Sequence, residues 1–332
     1  MKRVNLAIVG ATGMVGRTIL EVLEERDFPI NELYLFASAR SKGTPLEYKG
    51  KEYIVEELTK ESFNNEIDIA LFSAGGQVSK EYATLARNNG VVVVDNSSAW
   101  RMEQDVPLIV PEVNPKSIES HQGIIANPNC STIQAVLPLK RLDQAFTIKR
   151  IVYSTYQAVS GSGMAGVRDL ERGLEGEENE KYPHQIANNC LPHIDIFMEN
   201  GYTKEEMKMI NETRKILNNQ DLRITATTVR IPVENCHSIS VNLEFEKPFD
   251  LTEVCQILGN SEGVILQDQV DENIYPMPLN AEGTDQVYVG RIRRDFSLEN
   301  GLNLWVVADN IRKGAATNTI QIAELLLEKD LI

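Results

Sequence analysis

The chain has 332 residues, enough for two domains with sizeable cores. Lys and Arg number 33 against 48 Asp and Glu, a net charge of -15. That balance argues against a nucleic-acid groove or an anionic membrane surface as the main partner, but not against small anions, which respond to local charge. Its 42% hydrophobic and 24% charged residues are ordinary globular composition.

The opening MKRVNLAIVG has the basic flank of a signal peptide. Its apolar run is short, is broken by glycines and lacks a small-residue cleavage site. No segment approaches the roughly 18 unbroken apolar residues of a membrane span. Cys130, Cys190, Cys236 and Cys255 follow no metal spacing and contain no CxxC. Reduced thiols in a cytoplasmic setting, with no bound metal, are expected.

VNLAIVG (4–10) reads as a buried strand and GRTILEVLEER (16–26) as an amphipathic helix. LYLFAS, IDIALFSA and GVVVVDNSS are further strands, separated by helical stretches such as SKEYATLARNNG. Such alternation predicts a parallel sheet covered on both faces. Gly10, Gly13 and Gly16 lie between the first strand and the first helix. Glycines there allow a tight turn and close approach of backbone to a pyrophosphate, which the helix N-terminus then meets with N–H donors. The spacing is G-x-x-G-x-x-G, and its strand–turn–helix context is what points to a dinucleotide. An NAD site commonly ends its next strand in an acid that holds the ribose 2′-OH. Here that strand runs into Ser38, Ala39, Arg40 and Ser41, a set suited to a 2′-phosphate and hence to NADP.

In GIIANPNCSTIQAVLPL (123–139), Cys130 stands between a Pro-Asn turn and the start of a helical pattern. It reads either as a buried packing cysteine or as a nucleophile whose thiolate is favoured by the helix N-terminus. Pro138, inside that helical pattern, predicts a kink or an early break. Beyond about Lys149 the texture changes to long, β-branched alternating runs: RIVYSTYQAVS, LRITATTVRIPV, SISVNLEFEKPF, VYVGRIRRDF and LNLWVVADN. These predict a mixed, largely antiparallel sheet. Within 198–217 a helix is expected, with Thr203 as N-cap and acids in its first turn. GLEGEENEKYP (173–183) reads as a solvated loop, and the cluster RIRRDF (291–296) as solvated or interface charge. The amphipathic GAATNTIQIAELLLEKD at the C-terminus is expected to return to the first domain.

GATGMVG, SARSKG, FSAGG, DNSSAWRM, VPEVN, NPNCSTIQ, STYQAVSGSG, EEMKMINETRKI, RIPVENCHS and LWVVADNIRKGAATNTIQIAE occur in this order along almost the whole chain. Together they resemble the aspartate-β-semialdehyde dehydrogenases, most closely the branch typical of Gram-positive bacteria. The resemblance implies an α/β fold with a Rossmann-like NADP-binding domain (1–129 and 311–332). A catalytic and dimerisation domain of α+β type (130–310), with a mixed, largely antiparallel sheet, would complete it. It further implies phosphorylating, NADP-dependent oxidation of L-aspartate 4-semialdehyde to L-aspartyl 4-phosphate, run as a reduction in the cell for lysine (through diaminopimelate), methionine and threonine synthesis. A homodimer formed through the second domain is implied as well.

Carried over motif by motif, the resemblance makes Cys130 the nucleophile, His237 the acid–base histidine and Gln157 the residue that orients substrate at the thioester. Asn129 and the Cys130 N–H are candidate oxyanion donors. Arg230 would take the substrate carboxylate, Glu205 its amino group, and Arg101 and Lys208 the phosphate. Besides Gly10, Gly13, Gly16, Ser38, Arg40 and Ser41, the cofactor set would comprise Thr12, Met14, Val15, Ser73, Ala74, Gly75, Asn96, Ser160, Gly161 and Asn310. His184 and His193 flank a loop and read as structural. Arg230 precedes His237 by seven positions. On one strand an odd separation puts them on opposite faces, so they share a site only if PVEN bends the chain. Cys236 departs from the branch, which usually has glycine before the histidine.

The nearest rival is another acyl-phosphate reductase, such as N-acetyl-glutamyl-phosphate reductase, whose cysteine motif reads differently from NPNCST. A catalytically inactive NADP-binding sensor is disfavoured by Cys130, Gln157, Arg230 and His237 standing together. A cofactor-free Cys–His hydrolase is disfavoured by the glycine turn.

Overall fold

The structure is a computed structural model that describes residues 2–64 and 66–332. The chain forms two compact units, 1–129 with 315–332, and 130–314.

The first unit begins with β1 (Val4–Val9), α1 (Met14–Glu25) and β2 (Ile30–Ala37). A hairpin of β3 (Pro45–Tyr48) and β4 (Lys51–Ile54) follows, then β5 (Glu56–Glu57), β6 (Ile69–Phe72), α2 (Gly76–Asn88), β7 (Val92–Asp95) and β8 (Ile124–Ala126). Six strands pair in the order β5-β2-β1-β6-β7-β8, every pair parallel. With the hairpin set aside this is the doubly wound order, and the direction of winding reverses between β1 and β6. β6 and β7 are buried along their whole length, as strands covered on both faces must be. Ile19, Leu20, Val22 and Leu23 of α1 share one core with Ile320, Ile322, Ala323 and Leu326 of the C-terminal helix Thr317–Glu328.

The reversal point explains two of the glycines. Gly10 has φ +89°, and a Cβ on it would stand 2.6 Å from the Ser73 carbonyl oxygen, at the end of β6. A Cβ on Gly16 would stand 2.3 Å from the Gly10 carbonyl oxygen. Neither space admits a side chain, so the β1–α1 turn can close only on glycine.

The second unit runs α3 (Cys130–Phe146), β9 (Ile148–Gln157), α4 (Met164–Glu175), α5 (Lys204–Leu217), β10 (Arg223–Arg230) and β11 (His237–Phe245). It continues with α6 (Leu251–Gly259), β12 (Val264–Leu266), α7 (Pro278–Ala281), β13 (Val287–Asp295) and β14 (Gly301–Ala308). The sheet order is β10-β9-β11-β14-β13-β12. β10 and β9 are parallel, as are β12 and β13, while the remaining pairs are antiparallel. α3 packs on β9, β11, β13 and β14, with α5 and α6 beside it.

α3 does not break at Pro138 but continues to Phe146. An interior proline costs about 3 kcal/mol. That is offset here by burial of Ile133, Val136, Leu137, Leu139, Leu142 and Phe146. Gly173–Glu175, expected in a solvated loop, form the last turn of α4. The acidic segment beyond is pinned, because the Asp169 carboxylate accepts the N–H groups of Glu180, Lys181 and Tyr182. Thr203 caps α5 in a reciprocal box with Glu206, whose carboxylate also accepts the Thr228 N–H. The second compact unit runs to Gly314, and Asp309 ties its last residues together: its side chain accepts the N–H groups of Ile311 and Arg312, and its carbonyl that of Gly314.

Candidate active site

In the first unit the expected nucleotide residues gather at the C-terminal edge of the parallel sheet. Gly10, Thr12, Gly13, Met14, Val15 and Gly16 form the β1–α1 turn and the first turn of α1, where the N–H groups of a helix lack intrahelical partners. Ser38, Arg40 and Ser41 follow β2 in a 3₁₀ turn, with Arg40 exposed and Ser41 Oγ accepting from Thr12 Oγ1 at 3.2 Å. Ser73, Ala74 and Gly75 connect β6 to α2, and Gly75 takes φ +84°. Asn96 follows β7, and its side chain lies in a network with Phe72, Asn127 and Thr319. Arg101 is buried, donating through Nε to the Asn127 carbonyl and through Nη2 to that of Asn96. Asn129, also buried, ends the first of the two segments of this unit. The glycine cradle, the open helix terminus and the absence of an acid after β2 together fit a dinucleotide bearing a 2′-phosphate.

In the second unit three strand ends converge. β9 runs parallel to β10 and antiparallel to β11, so the end of β9 meets the end of β10 on one side and the start of β11 on the other. Gln157 closes β9 in register with Arg230, which closes β10, and His237 opens β11. The odd spacing of Arg230 and His237 is therefore no obstacle, because they lie on different strands joined by the Ile231–Cys236 bend. Cys130, the first residue of α3, places Sγ 3.3 Å from His237 Nε2. One turn further along α3, Gln134 donates to the His237 carbonyl at 2.9 Å and ties the two elements together.

The other ring nitrogen decides the tautomer. The Ala158 N–H donates to His237 Nδ1 at 3.0 Å, and a backbone N–H can only donate. Nδ1 is therefore bare, and the proton of the neutral ring sits on Nε2, facing Sγ. Burial, with Arg230 beside it, pushes the His237 pKa down to about 3, so the ring is neutral at physiological pH. A Cβ on Gly161 would stand 3.0 Å from Arg230 Nη1 and 3.2 Å from His237 Cε1, and one on Gly314 would stand 2.9 Å from Cys130 Cβ. Both glycines leave room around Cys130, Arg230 and His237.

Arg230 is 3% exposed and donates through Nη1 to the Ala158 carbonyl, while its Nε has no hydrogen-bond partner among the described residues. Gln157 accepts from Thr155 Oγ1 at 3.0 Å and donates to Glu205 Oε1 at 3.1 Å. The second oxygen of Glu205 accepts from Lys208 Nζ at 3.0 Å, and Lys208 also donates to Asp195 Oδ2 at 2.8 Å. Ser160 and Asn310 hydrogen-bond to each other, and Asn310 Oδ1 accepts the Cys236 N–H at 2.9 Å. Cys236 sits at φ +69°, in the left-handed region that favours glycine.

The sequence pattern did not single out Gln134, Ala158, Asp195, Asp309 or Gly314. Gln134 was legible in principle, four residues beyond Cys130 on the same helix face. Ala158 acts through its backbone alone, which no side-chain motif reveals.

A parallel sheet with a glycine turn, in one chain with a helix-terminal thiol beside a buried imidazole, fits a nucleotide-linked dehydrogenase. Residues 5–121 match the semialdehyde dehydrogenase NAD-binding domain and residues 139–313 the semialdehyde dehydrogenase dimerisation domain. The chain belongs to the aspartate-semialdehyde dehydrogenase family. It is 57% identical over 337 residues to the aspartate-semialdehyde dehydrogenase of Aquifex aeolicus, covering 99% of each chain. The structure of aspartate semialdehyde dehydrogenase II from Vibrio cholerae complexed with ASA superposes with a TM-score of 0.95 at 47% identity, covering 99% of each chain. A Candida albicans aspartate semialdehyde dehydrogenase with NADP superposes at 0.80 with 26% identity, covering all of both chains.

Proposed function

We propose that this enzyme oxidises L-aspartate 4-semialdehyde with phosphate to L-aspartyl 4-phosphate, through a thioester on Cys130 and with NADP as cofactor. In the cell the reaction runs as a reduction in the cytoplasm, feeding lysine (through diaminopimelate), methionine and threonine synthesis. The observation that carries the reading is the contact between Cys130 Sγ and the protonated Nε2 of a neutral His237, beside Gln157 and Arg230.

The chemistry follows from those groups. The His237 Nε2–H donates to Sγ and favours the thiolate, which a helix N-terminus also favours. The thiolate forms a C–S bond to the aldehyde carbon, and its negative charge passes to the former carbonyl oxygen. Hydrogen bonds from the imidazole, from Asn129 and from the Cys130 N–H stabilise that oxygen. NADP, when bound, supplies the acceptor for the departing hydride. The thioester left on Cys130 is attacked by a phosphate oxygen, the C–S bond breaks, and the thiolate returns. Sulfur suits both roles because it is a good nucleophile and a good leaving group. Gln157 orients the acyl group, Arg230 takes the substrate carboxylate with a planar fork, and Glu205 takes the ammonium. Arg101 and Lys208 hold phosphate.

Assembly as a homodimer through the second unit is supported by the match to a dimerisation domain and by the sheet face opposite α3, where Tyr156 is 38% exposed beside the tilted ring of Trp305. Among the described residues no helix is long and apolar enough to cross a membrane.

The direct test is NADP reduction with aspartate semialdehyde, with and without phosphate. Turnover to the acyl phosphate should require all three. Turnover with N-acetyl-glutamate semialdehyde in its place would favour the rival reductase. Cofactor choice has its own test. Arg40→Ala removes a charge-assisted contact to the 2′-phosphate, so NADP should bind roughly 10-fold more weakly while NAD barely changes. Equal loss for both cofactors would place Arg40 outside the 2′-phosphate pocket.

A further inference from the structure

Lys208 is held between two carboxylates. Its Nζ donates to Glu205 Oε2 at 3.0 Å and to Asp195 Oδ2 at 2.8 Å, and its side chain is 24% exposed. Glu205 has a second use, since its other oxygen accepts from Gln157. Asp195 contacts neither Gln157 nor Arg230 through any hydrogen bond or ion pair among the described residues. Among the described residues of the site, its hydrogen-bond and ion-pair partner is Lys208.

The position of Asp195 is built, not incidental. Its backbone takes φ +67°, a left-handed conformation that non-glycine residues adopt at a cost and that Asp and Asn tolerate best. Its Oδ1 accepts the Ile196 N–H at 2.9 Å, which leaves Oδ2 for the lysine. The Ile196 carbonyl in turn accepts the Lys204 N–H at 2.9 Å, and Phe197 bridges to Thr203. The loop is thereby fixed to the first turn of α5, one turn from Lys208. Burial alone would raise the Asp195 pKa, but the hydrogen bond and charge of Lys208 outweigh it and hold the carboxyl below its ordinary value. Asp195 is therefore ionised at neutral pH.

Local charge sets the consequence. One cation between two carboxylates carries a net charge of about −1, which disfavours a phosphate dianion at the same ammonium. Substrate binding engages Glu205 through the ammonium of aspartate semialdehyde and leaves Asp195 as the remaining competitor. We propose that Asp195 is a resident counter-ion that inorganic phosphate displaces from Lys208, so that this residue sets the affinity of the enzyme for phosphate. The inference rests on the assignment of Lys208 to phosphate made above.

Asp195→Asn tests it with little disturbance, because Asn tolerates the same φ and keeps the oxygen that accepts the Ile196 N–H. In the oxidative direction the KM for phosphate should fall about fivefold, while kcat and the KM for the semialdehyde stay within about twofold. In a Lys208→Met background, Asp195→Asn should leave the phosphate KM where Lys208→Met put it, because the two residues act as one unit. A phosphate KM unchanged by Asp195→Asn overturns the proposal. A raised one also overturns it, because Asp195 would then be positioning Lys208 for phosphate rather than competing with it. The two ideas fail differently. If Lys208→Met raises the phosphate KM and Asp195→Asn does not lower it, only the role of Asp195 falls. If Lys208→Met leaves the phosphate KM unmoved, the phosphate assignment of Lys208 falls and carries this proposal with it.

Discussion

Cys130→Ala is expected to lower turnover by roughly 10⁴-fold or more while NADP binding stays nearly unchanged, since the residue proposed to carry the acyl group is lost and the nucleotide turn is untouched. The β1–α1 turn and the turn after β2, proposed to hold the pyrophosphate and the 2′-phosphate, do not include Cys130. Alkylation gives a second reading of the same claim. Cys190 is exposed, Cys130 only partly so, and burial pushes the Cys255 thiol up. If exposure governed reactivity, iodoacetamide would label Cys190 first. Labelling of Cys130 ahead of both Cys190 and Cys255 at neutral pH is the expected result, and it reports thiolate character rather than access. Appreciable turnover in the alanine variant would remove Cys130 from the chemistry.

His237→Asn is expected to lower kcat by roughly 100-fold or more with a modest change in KM. The hydrogen-bond pattern says why. With Nδ1 engaged by Ala158 and the proton on Nε2, the ring is a fixed donor toward sulfur. Its loss should also slow alkylation of Cys130 at neutral pH and move the pH midpoint of that labelling upward. A sharp rise in KM with kcat preserved would instead make His237 a substrate-binding group. The same residue predicts a pH signature in stability. Its pKa lies near 3 in the folded chain, by burial first and Arg230 second, against an ordinary value of 6.5. Between those values the unfolded chain binds the proton and the folded chain does not, so stability falls as pH drops through that window. Thermal melts of wild type minus His237→Asn should show that slope from about pH 6.5 downward and none above it. A flat difference would mean that the imidazole is not buried in its neutral form.

Much of this was legible along the chain, for a common physical reason. Strand and helix periods, the glycine turn after β1, the hydroxyl-and-arginine end of β2, the Thr203 cap and the cysteine at a helix start all depend on neighbours within a few residues. Backbone sterics and burial impose such patterns locally, so composition and spacing suffice to read them. Pro138 shows the limit: its local preference is to stop a helix, and the packing of α3 on four strands overrides it.

What depends on strand pairing could not be read in that way. The meeting of Gln157, Arg230 and His237 follows from β9 being parallel to one neighbour and antiparallel to the other, a choice made by the whole sheet. The spacing of Arg230 and His237 even argued against their proximity until the bend placed them on separate strands. The tautomer of His237 is set by the backbone of Ala158, which carries no signature in its side chain. The pairing of Asp195 with Lys208 arises from a loop folded back on α5 through main-chain hydrogen bonds. The residue types able to do the chemistry, and the nucleotide turn, were determined by the sequence by itself. Which nitrogen of His237 holds the proton, and which carboxylates share the lysine, were decided only by the tertiary structure, because hydrogen bonds between distant segments depend on distances that no local pattern encodes.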